Sequence, residues 1–213
     1  FEIVHAVDVI GMGDHPAKAY AKKIHSTINV GFRLLEQKEI DAFASTGNTG
    51  AMLVGAIYTV KAIPGIIRPA ISATIPNDEK NPSILLDVGL NPDTKPDVLY
   101  QYAILGSLYA ENVYKIKNPS VGLLNIGKEE EKGNLLTKAA YQSMKDSNHF
   151  NFVGNIESSE LFSNEMPDVI VCDGFVGNII IKEAEAFYKL LKYKNITHSY
   201  FEKFNFEHYG GTP

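Results

Sequence analysis

What this 213-residue chain lacks narrows it first. It holds a single cysteine, Cys172. One thiol excludes an internal disulfide framework and any cysteine-rich zinc site, and it suits a reducing cytoplasm. Positive charge is in deficit, with 20 Lys and Arg against 25 Asp and Glu for a net charge of -5. That balance argues against broad nucleic-acid binding. No run approaches the roughly 20 apolar residues of a membrane-spanning helix, and the N-terminus has no signal-peptide layout. The six histidines are scattered without i,i+4 or paired spacing, so no metal site is expected. What remains is a globular composition, 45% hydrophobic and 21% charged, which excludes disorder and fibrous repeats.

The length suits one substantial domain, and 1–213 is expected to form a single α/β domain. The chain opens on Phe1 in a strand-like run, Phe-Glu-Ile-Val-His-Ala, and stops at Pro213 just after the turn Tyr209-Gly210-Gly211-Thr212. It is therefore expected to be part of a longer protein, without its N-terminal portion and C-terminal end.

Residues 41–47 read as a short apolar strand, followed by a helix over about 49–61 with Leu53, Ile57 and Val60 at helical spacing. Two β-type runs, 69–75 and 83–88, flank the polar loop 76–82. Pro96 sits where a first helical position belongs. Behind it Leu99, Tyr102, Ala103, Gly106, Ala110 and Val113 trace one helix face. Then come a strand at 120–126, a helix from about 134 to 147, a strand near 150–154, a strand at 169–172 and a helix over about 176–194. Residues 195–208, aromatic and polar, show little periodicity and read as a loop or join. Strands alternating with helices, most of them apolar runs without polar alternation, predict an α/β fold: an open, mostly parallel sheet with helices on both faces.

Four of these strand ends share one grammar, an apolar strand followed by glycine with Asn, Ser, Thr or Asp. They are Ser45-Thr46-Gly47-Asn48-Thr49-Gly50, Asp87-Val88-Gly89-Leu90-Asn91, Asn125-Ile126-Gly127 and Asp173-Gly174-Phe175-Val176-Gly177-Asn178. In an open parallel sheet the carboxyl ends of the strands line one edge, so these loops are expected to converge on one crevice. Glycine lets backbone approach a ligand closely, and helices starting behind the loops aim N–H groups at it. The combination suits an anion, phosphate above all. Glycine in such turns also serves tight connection alone, and that plainer reading stands beside it.

Other fingerprints fail. Gly122 to Lys128 matches the first seven positions of a P-loop, but Glu129 replaces the magnesium-binding Ser or Thr, and Gly122 falls in a strand. Gly11-Met12-Gly13-Asp14-His15-Pro16 lacks the third glycine of a dinucleotide turn, so no nucleotide cofactor is expected. Cys172 is expected to be a buried core residue rather than a nucleophile.

Read together, the loops resemble the bacterial phosphate acyltransferase family PlsX. The resemblance runs from about His5 through Asn178 and resumes at Tyr209-Gly210-Gly211. It rests on 45–51, Arg68-Pro69-Ala70, Leu86 to Asn91 with Lys95-Pro96, Gly122 to Gly127 with Glu129-Glu130 and Lys132-Gly133-Asn134, and Cys172 to Asn178 with Lys182. Thr46, Leu90 and Thr212 stand where the family usually has alanine. Ile24-His25-Ser26-Thr27 follows Lys22-Lys23, where the family tends toward Asp-Ser-Ser. The stretch between Lys194 and Tyr209 is shorter than the paired helices expected there.

The resemblance implies transfer of a long acyl chain from acyl carrier protein to inorganic phosphate, giving an acyl phosphate for phospholipid synthesis. It implies a fold similar to isocitrate and isopropylmalate dehydrogenases and to phosphate acetyltransferases, a homodimer, and a cytoplasmic protein with peripheral membrane attachment in some bacteria. On that basis Asn178, Lys182, Asn48 and Asn91 are the expected catalytic residues. Phosphate or substrate binding is assigned to Ser45, Gly47, Thr49, Gly50, Arg68, Asp87, Gly89, Gly127, Lys132, Asp173, Gly174 and Gly177, with Glu129 and Glu130 shaping the mouth beside Lys132. No cofactor is implied. The open alternatives are a phosphate acetyl- or butyryltransferase using acyl-CoA, a decarboxylating dehydrogenase of related fold, and an anion-binding module without turnover. The helix over 176–194, with Phe187, Leu190 and Leu191 beside Lys189, Lys192 and Lys194, is either a core helix with a wet face or a membrane-touching one.

Overall fold

The computed structural model describes residues 1–77 and 81–200. Residues 78–80 of the polar loop, and the turn at Tyr209-Gly210-Gly211, lie outside the described residues. The chain divides into two compact units, one over Phe1–Ile66 and one from Ile67 onward.

The N-terminal unit is helical: α1 (Pro16–Lys22), α2 (Thr27–Glu36) and α3 (Thr49–Gly55), which runs on as a π-helical turn over Ala56–Val60. Neither expected strand of this unit forms. Residues 1–7 and 41–47 make no ladder, and one parallel bridge, Asp8 to Ser26, is all the β pairing described here. A strand exists only against a partner that takes its N–H and C=O groups, so Ile3, Val7 and Val9 stay exposed. Ser26 starts α2 by accepting the Asn29 N–H at 3.4 Å. Ile28 and Phe32, one turn apart, then meet Ile10, Ala19 and Ala51 in a small core. Phe43 closes that core edge-on to Phe32 at 5.2 Å.

The second unit holds a five-stranded sheet made of β1 (Ser72–Ile75), β2 (Ser83–Leu86), β3 (Ser120–Asn125), β4 (Asn151–Glu157) and β5 (Val169–Val171). The order is β1-β2-β5-β3-β4, with β1 antiparallel to β2 and every other pair parallel. The apolar runs are explained by cover on both faces. Ile84, Leu86, Val121, Leu123, Val169 and Val171 pack with α4 (Pro96–Val113) and α5 (Leu135–Lys145). Their neighbours Leu85, Leu124 and Ile170 turn the other way, toward Leu161, Met166 and Ile181 of α6 (Gly174–Tyr193). Each such side chain taken from water contributes about 1.5–3 kcal/mol.

Helix starts follow the sequence closely. Pro96 opens α4, Asn134 caps α5 by accepting the Thr137 N–H at 2.9 Å, and Asp173 caps α6 by accepting the Val176 N–H at 2.8 Å. The Asp173 cap starts α6 two residues before the periodicity suggested. Among the described residues, no helix is long and apolar enough to cross a membrane.

Candidate active site

The four parallel strands run the same way, so the segments after β2, β3 and β5 leave the sheet at one edge. Three of the four glycine-bearing loops are those segments. Two of them touch: Gly174 N–H donates to the Asn91 carbonyl at 2.9 Å, and Asn178 Nδ2 donates to the Val88 carbonyl at 3.2 Å. A cleft of about 410 Å³ opens beside them, lined by Pro92, Asp93, Thr94, Asn134, Leu135, Leu136 and Asp173. It therefore draws on the β2 loop, the start of α5 and the cap of α6. The fourth loop, Ser45–Gly50, belongs to the N-terminal unit.

The turn after β2 is organised by a fully buried carboxylate. Asp87 Oδ1 accepts the N–H groups of Ile71, Gly89 and Leu90 at 3.1–3.2 Å, and Oδ2 accepts Asn91 N–H at 2.7 Å and Asn91 Nδ2 at 2.9 Å. Gly89 has φ +139°, and a Cβ there would come within 2.8 Å of Asn178 Nδ2. Arg68 is exposed, and its guanidinium donates to the Asp93 carbonyl at 2.9 Å, which ties the 68–71 segment to the rim of the cleft.

Helix α6 enters at closest quarters. A Cβ on Gly177 would strike the Asp87 carbonyl oxygen, so only glycine lets the first turn of α6 lie on the β2 turn. Asn178 is half-buried, and Lys182, one turn further at i+4, is exposed. Gly174 and Gly177 are buried, while Asp173 spends one carboxylate oxygen on its cap.

The loop after β3 is held from beneath. Asn125 Nδ2 donates to the Lys132 carbonyl and to Asn155 Oδ1, both at 3.1 Å, and Asn155 Nδ2 donates to the Glu129 carbonyl at 2.9 Å. Gly127 is buried in this loop and Lys132 is exposed. Glu130 turns instead to Lys145 and Gln142 on α5, at 2.8 and 2.6 Å. That pairing, Lys145 first, holds its carboxyl below the usual range. Lys128 pairs with Glu160 at 2.8 Å, and the P-loop-like string is strand from Gly122 through Asn125, so it forms no phosphate-binding P-loop.

In the N-terminal unit Asn48 is 6% exposed and fully engaged. Its Oδ1 accepts the Ala51 N–H at 3.0 Å, capping α3, and its Nδ2 lies 3.0–3.3 Å from the carbonyls of Gly11, Met12 and Asp14. Ser45 Oγ accepts the Gly47 N–H at 3.1 Å, Thr49 is exposed, and Gly50 packs against Pro16. These bonds bind the glycine-containing turn at 11–14 to the start of α3.

Cys172 is buried, with Sγ 3.5 Å from the Asp87 carbonyl. Burial, then the charges of Asp173 and Asp87, push its thiol well above the usual range. A thiol held protonated there is no nucleophile. No cluster of three or more metal-ligating side chains occurs among the described residues. Two polar residues that hold the loops carry no mark in the sequence pattern: Tyr102, which lies on the core face of α4, and Asn155. The available signal is instead an asparagine inside an apolar strand, since buried amides are placed where they find partners.

Sheet order, crossover helices and a cleft at the carboxyl edge define an open-sheet α/β protein. Solved structures agree on the fold. A phosphotransacetylase from Staphylococcus aureus, EutD, superposes with a TM-score of 0.56 at 17% identity, covering 77% of this chain and 56% of that one. One from Streptococcus pyogenes gives 0.54 at 17% identity, covering 74% and 54%. The family described as "Fatty acid synthesis protein" matches residues 1–205, and the chain belongs to that family. Relatives named phosphate acyltransferase are 48% identical over 184 residues in Dictyoglomus turgidum, 45% over 196 in Desulfitobacterium hafniense and 41% over 191 in Coxiella burnetii. These alignments cover 86%, 90% and 90% of this chain but 54%, 58% and 55% of the relatives, so the chain spans about half their length.

Proposed function

We propose that this protein transfers a long-chain acyl group from acyl-acyl carrier protein to inorganic phosphate. A phosphate oxygen attacks the thioester carbonyl, the C–O bond forms, the C–S bond breaks, and the carrier thiolate leaves and takes a proton from solvent. The products are an acyl phosphate and free carrier thiol. The observation that carries the reading is the cleft at the carboxyl edge, where the β2 turn and the first turn of α6 interlock, in a chain whose relatives are named phosphate acyltransferases.

Phosphate is already nucleophilic at neutral pH and a thiolate leaves readily, so the site need only position the reactants and stabilise an oxyanion. Holding the reactants in an attack geometry contributes several kcal/mol, about 7–11 at best, and one oriented donor about 3 kcal/mol. Asn178 and Lys182, on one face of α6, are assigned the oxyanion and the phosphate charge, with Arg68 and Lys132 as flanking cations. Asp87 and Asn91 act by holding the turn. Ser45, Gly47, Asn48, Thr49 and Gly50 remain a proposed phosphate-binding turn of the N-terminal unit. The reading includes a cytoplasmic homodimer; a monomer mass by light scattering would remove the dimer.

The test is phosphate-dependent release of free thiol from long-chain acyl-acyl carrier protein, with acyl-CoA donors in parallel. Release from the carrier-protein donor supports the reading, while release from short acyl-CoA alone assigns the acetyl- or butyryltransferase activity instead. Asn178→Ala and Lys182→Ala are expected to lower turnover at least about a hundredfold with the fold intact. Normal turnover in both variants overturns the residue assignment.

A further inference from the structure

Tyr102 lies on α4, with its ring in the core of the second unit and no exposed surface. Its hydroxyl is 2.7 Å from Asn91 Nδ2 and donates to the Pro69 carbonyl at 3.2 Å. The Asn91 amide has two hydrogens but three acceptors in reach: Pro69 O at 2.8 Å, Asp87 Oδ2 at 2.9 Å and the Tyr102 hydroxyl at 2.7 Å. The phenol supplies the missing hydrogen. All three acceptors are served when Asn91 donates to Asp87 and to Tyr102, and Tyr102 donates to Pro69. Burial, with the Asp87 charge behind it, pushes the Tyr102 phenol above its ordinary range, which keeps that proton in place.

The turn held this way is the one α6 leans on. Val88 O receives Asn178 Nδ2, and Asn91 O receives the Gly174 N–H. A phenylalanine would fill the same core volume. Burying a hydroxyl costs free energy that only its hydrogen bonds offset, so the oxygen is tied to those two partners rather than to packing.

We propose that Tyr102 is a positioning residue: through Asn91 it fixes the Asp87–Asn91 turn, and through that turn it sets Asn178 and the first turn of α6 at the cleft. The kinetic part of this inference rests on the proposed acyl transfer; the structural part does not.

The test is Tyr102→Phe in the full-length protein, read by residue-resolved amide hydrogen exchange and by steady-state kinetics. Exchange at Gly89, Leu90 and Asn91 is expected to quicken at least about tenfold while β3 and β5 keep wild-type protection. Turnover is expected to fall about tenfold with KM for the acyl donor unchanged, because misplaced groups cost rate more than binding. Unchanged exchange at the turn overturns the inference. So does quickening spread evenly over the sheet or a variant that does not fold, each of which marks Tyr102 as a plain core residue. Faster exchange at the turn with unchanged turnover overturns its link to the site. A wild-type protein that turns over no acyl thioester refutes the acyl-transfer reading instead, and the exchange result still decides whether Tyr102 holds the turn.

Discussion

Gly177 sits with the Asp87 carbonyl on one side of its Cα and Cys172 Sγ 3.0 Å from where a Cβ would stand. Gly177→Ala therefore forces α6 off the β2 turn, at a cost of about 1–3 kcal/mol for overpacking. Thermal unfolding is expected to show the loss, and an unchanged midpoint contradicts the close approach. The asparagines teach a different lesson at this scale. Residue type and spacing mark Asn48, Asn91 and Asn178, at glycine turns, as candidate orienting or oxyanion donors. What spacing does not reveal is who receives their hydrogens. Those of Asn48 and Asn91 go to backbone carbonyls, a carboxylate and a tyrosine. Lys182 and Lys132 remain exposed at the positions the sequence singled out.

At the scale of elements, those whose pattern is self-sufficient were legible. Helices α5 and α6 carry their own caps and α4 its opening proline, all three have apolar faces, and strands β2, β3 and β5 have their own apolar runs. The runs at 1–6 and 41–47 form no strand, because among the described residues no neighbour supplies the ladder. Pro16 and Ser26 mark the starts of α1 and α2, which the expected alternation of strands and helices does not include. Helix α6 bears a further expectation. Phe187 and Leu190 are 57% and 49% exposed, and Lys189, Lys192 and Lys194 are exposed among them. A surface of that kind favours anionic lipid. Phe187→Ser with Leu190→Ser is expected to reduce co-sedimentation with phosphatidylglycerol vesicles severalfold and to leave phosphatidylcholine vesicles unaffected. Equal recovery of wild type and variant on anionic vesicles removes the membrane contact.

For the molecule as a whole, pH acts from two sides. Asp14 beside Lys23, Glu130 beside Lys145, and Glu160 at the Glu157 N–H and Lys128 all have lowered values. Their contributions are full above the ordinary 3.8 and 4.5 and are lost as pH falls through the lowered values. On the alkaline side Cys172 and Tyr102 are raised, above ordinary values of 9.0 and 10.0. The unfolded chain ionises first there, so stability is full below pH 9 and declines above it. The thermal midpoint is expected to be flat across neutral pH and to drop at both ends, with Cys172→Ala flattening the alkaline limb. A wild-type midpoint that holds above pH 10 contradicts the buried thiol.

The sequence by itself determined the α/β class, the mostly parallel sheet, the glycine turns and the residue types at them, because patterning and turn chemistry are local. Only the tertiary structure decided that a buried aspartate and a core tyrosine organise the β2 turn, and that Gly177 admits α6 onto it. Those depend on which strands become neighbours, and burial, which makes a hydrogen bond obligatory, is conferred by the packed chain and by no stretch of it alone.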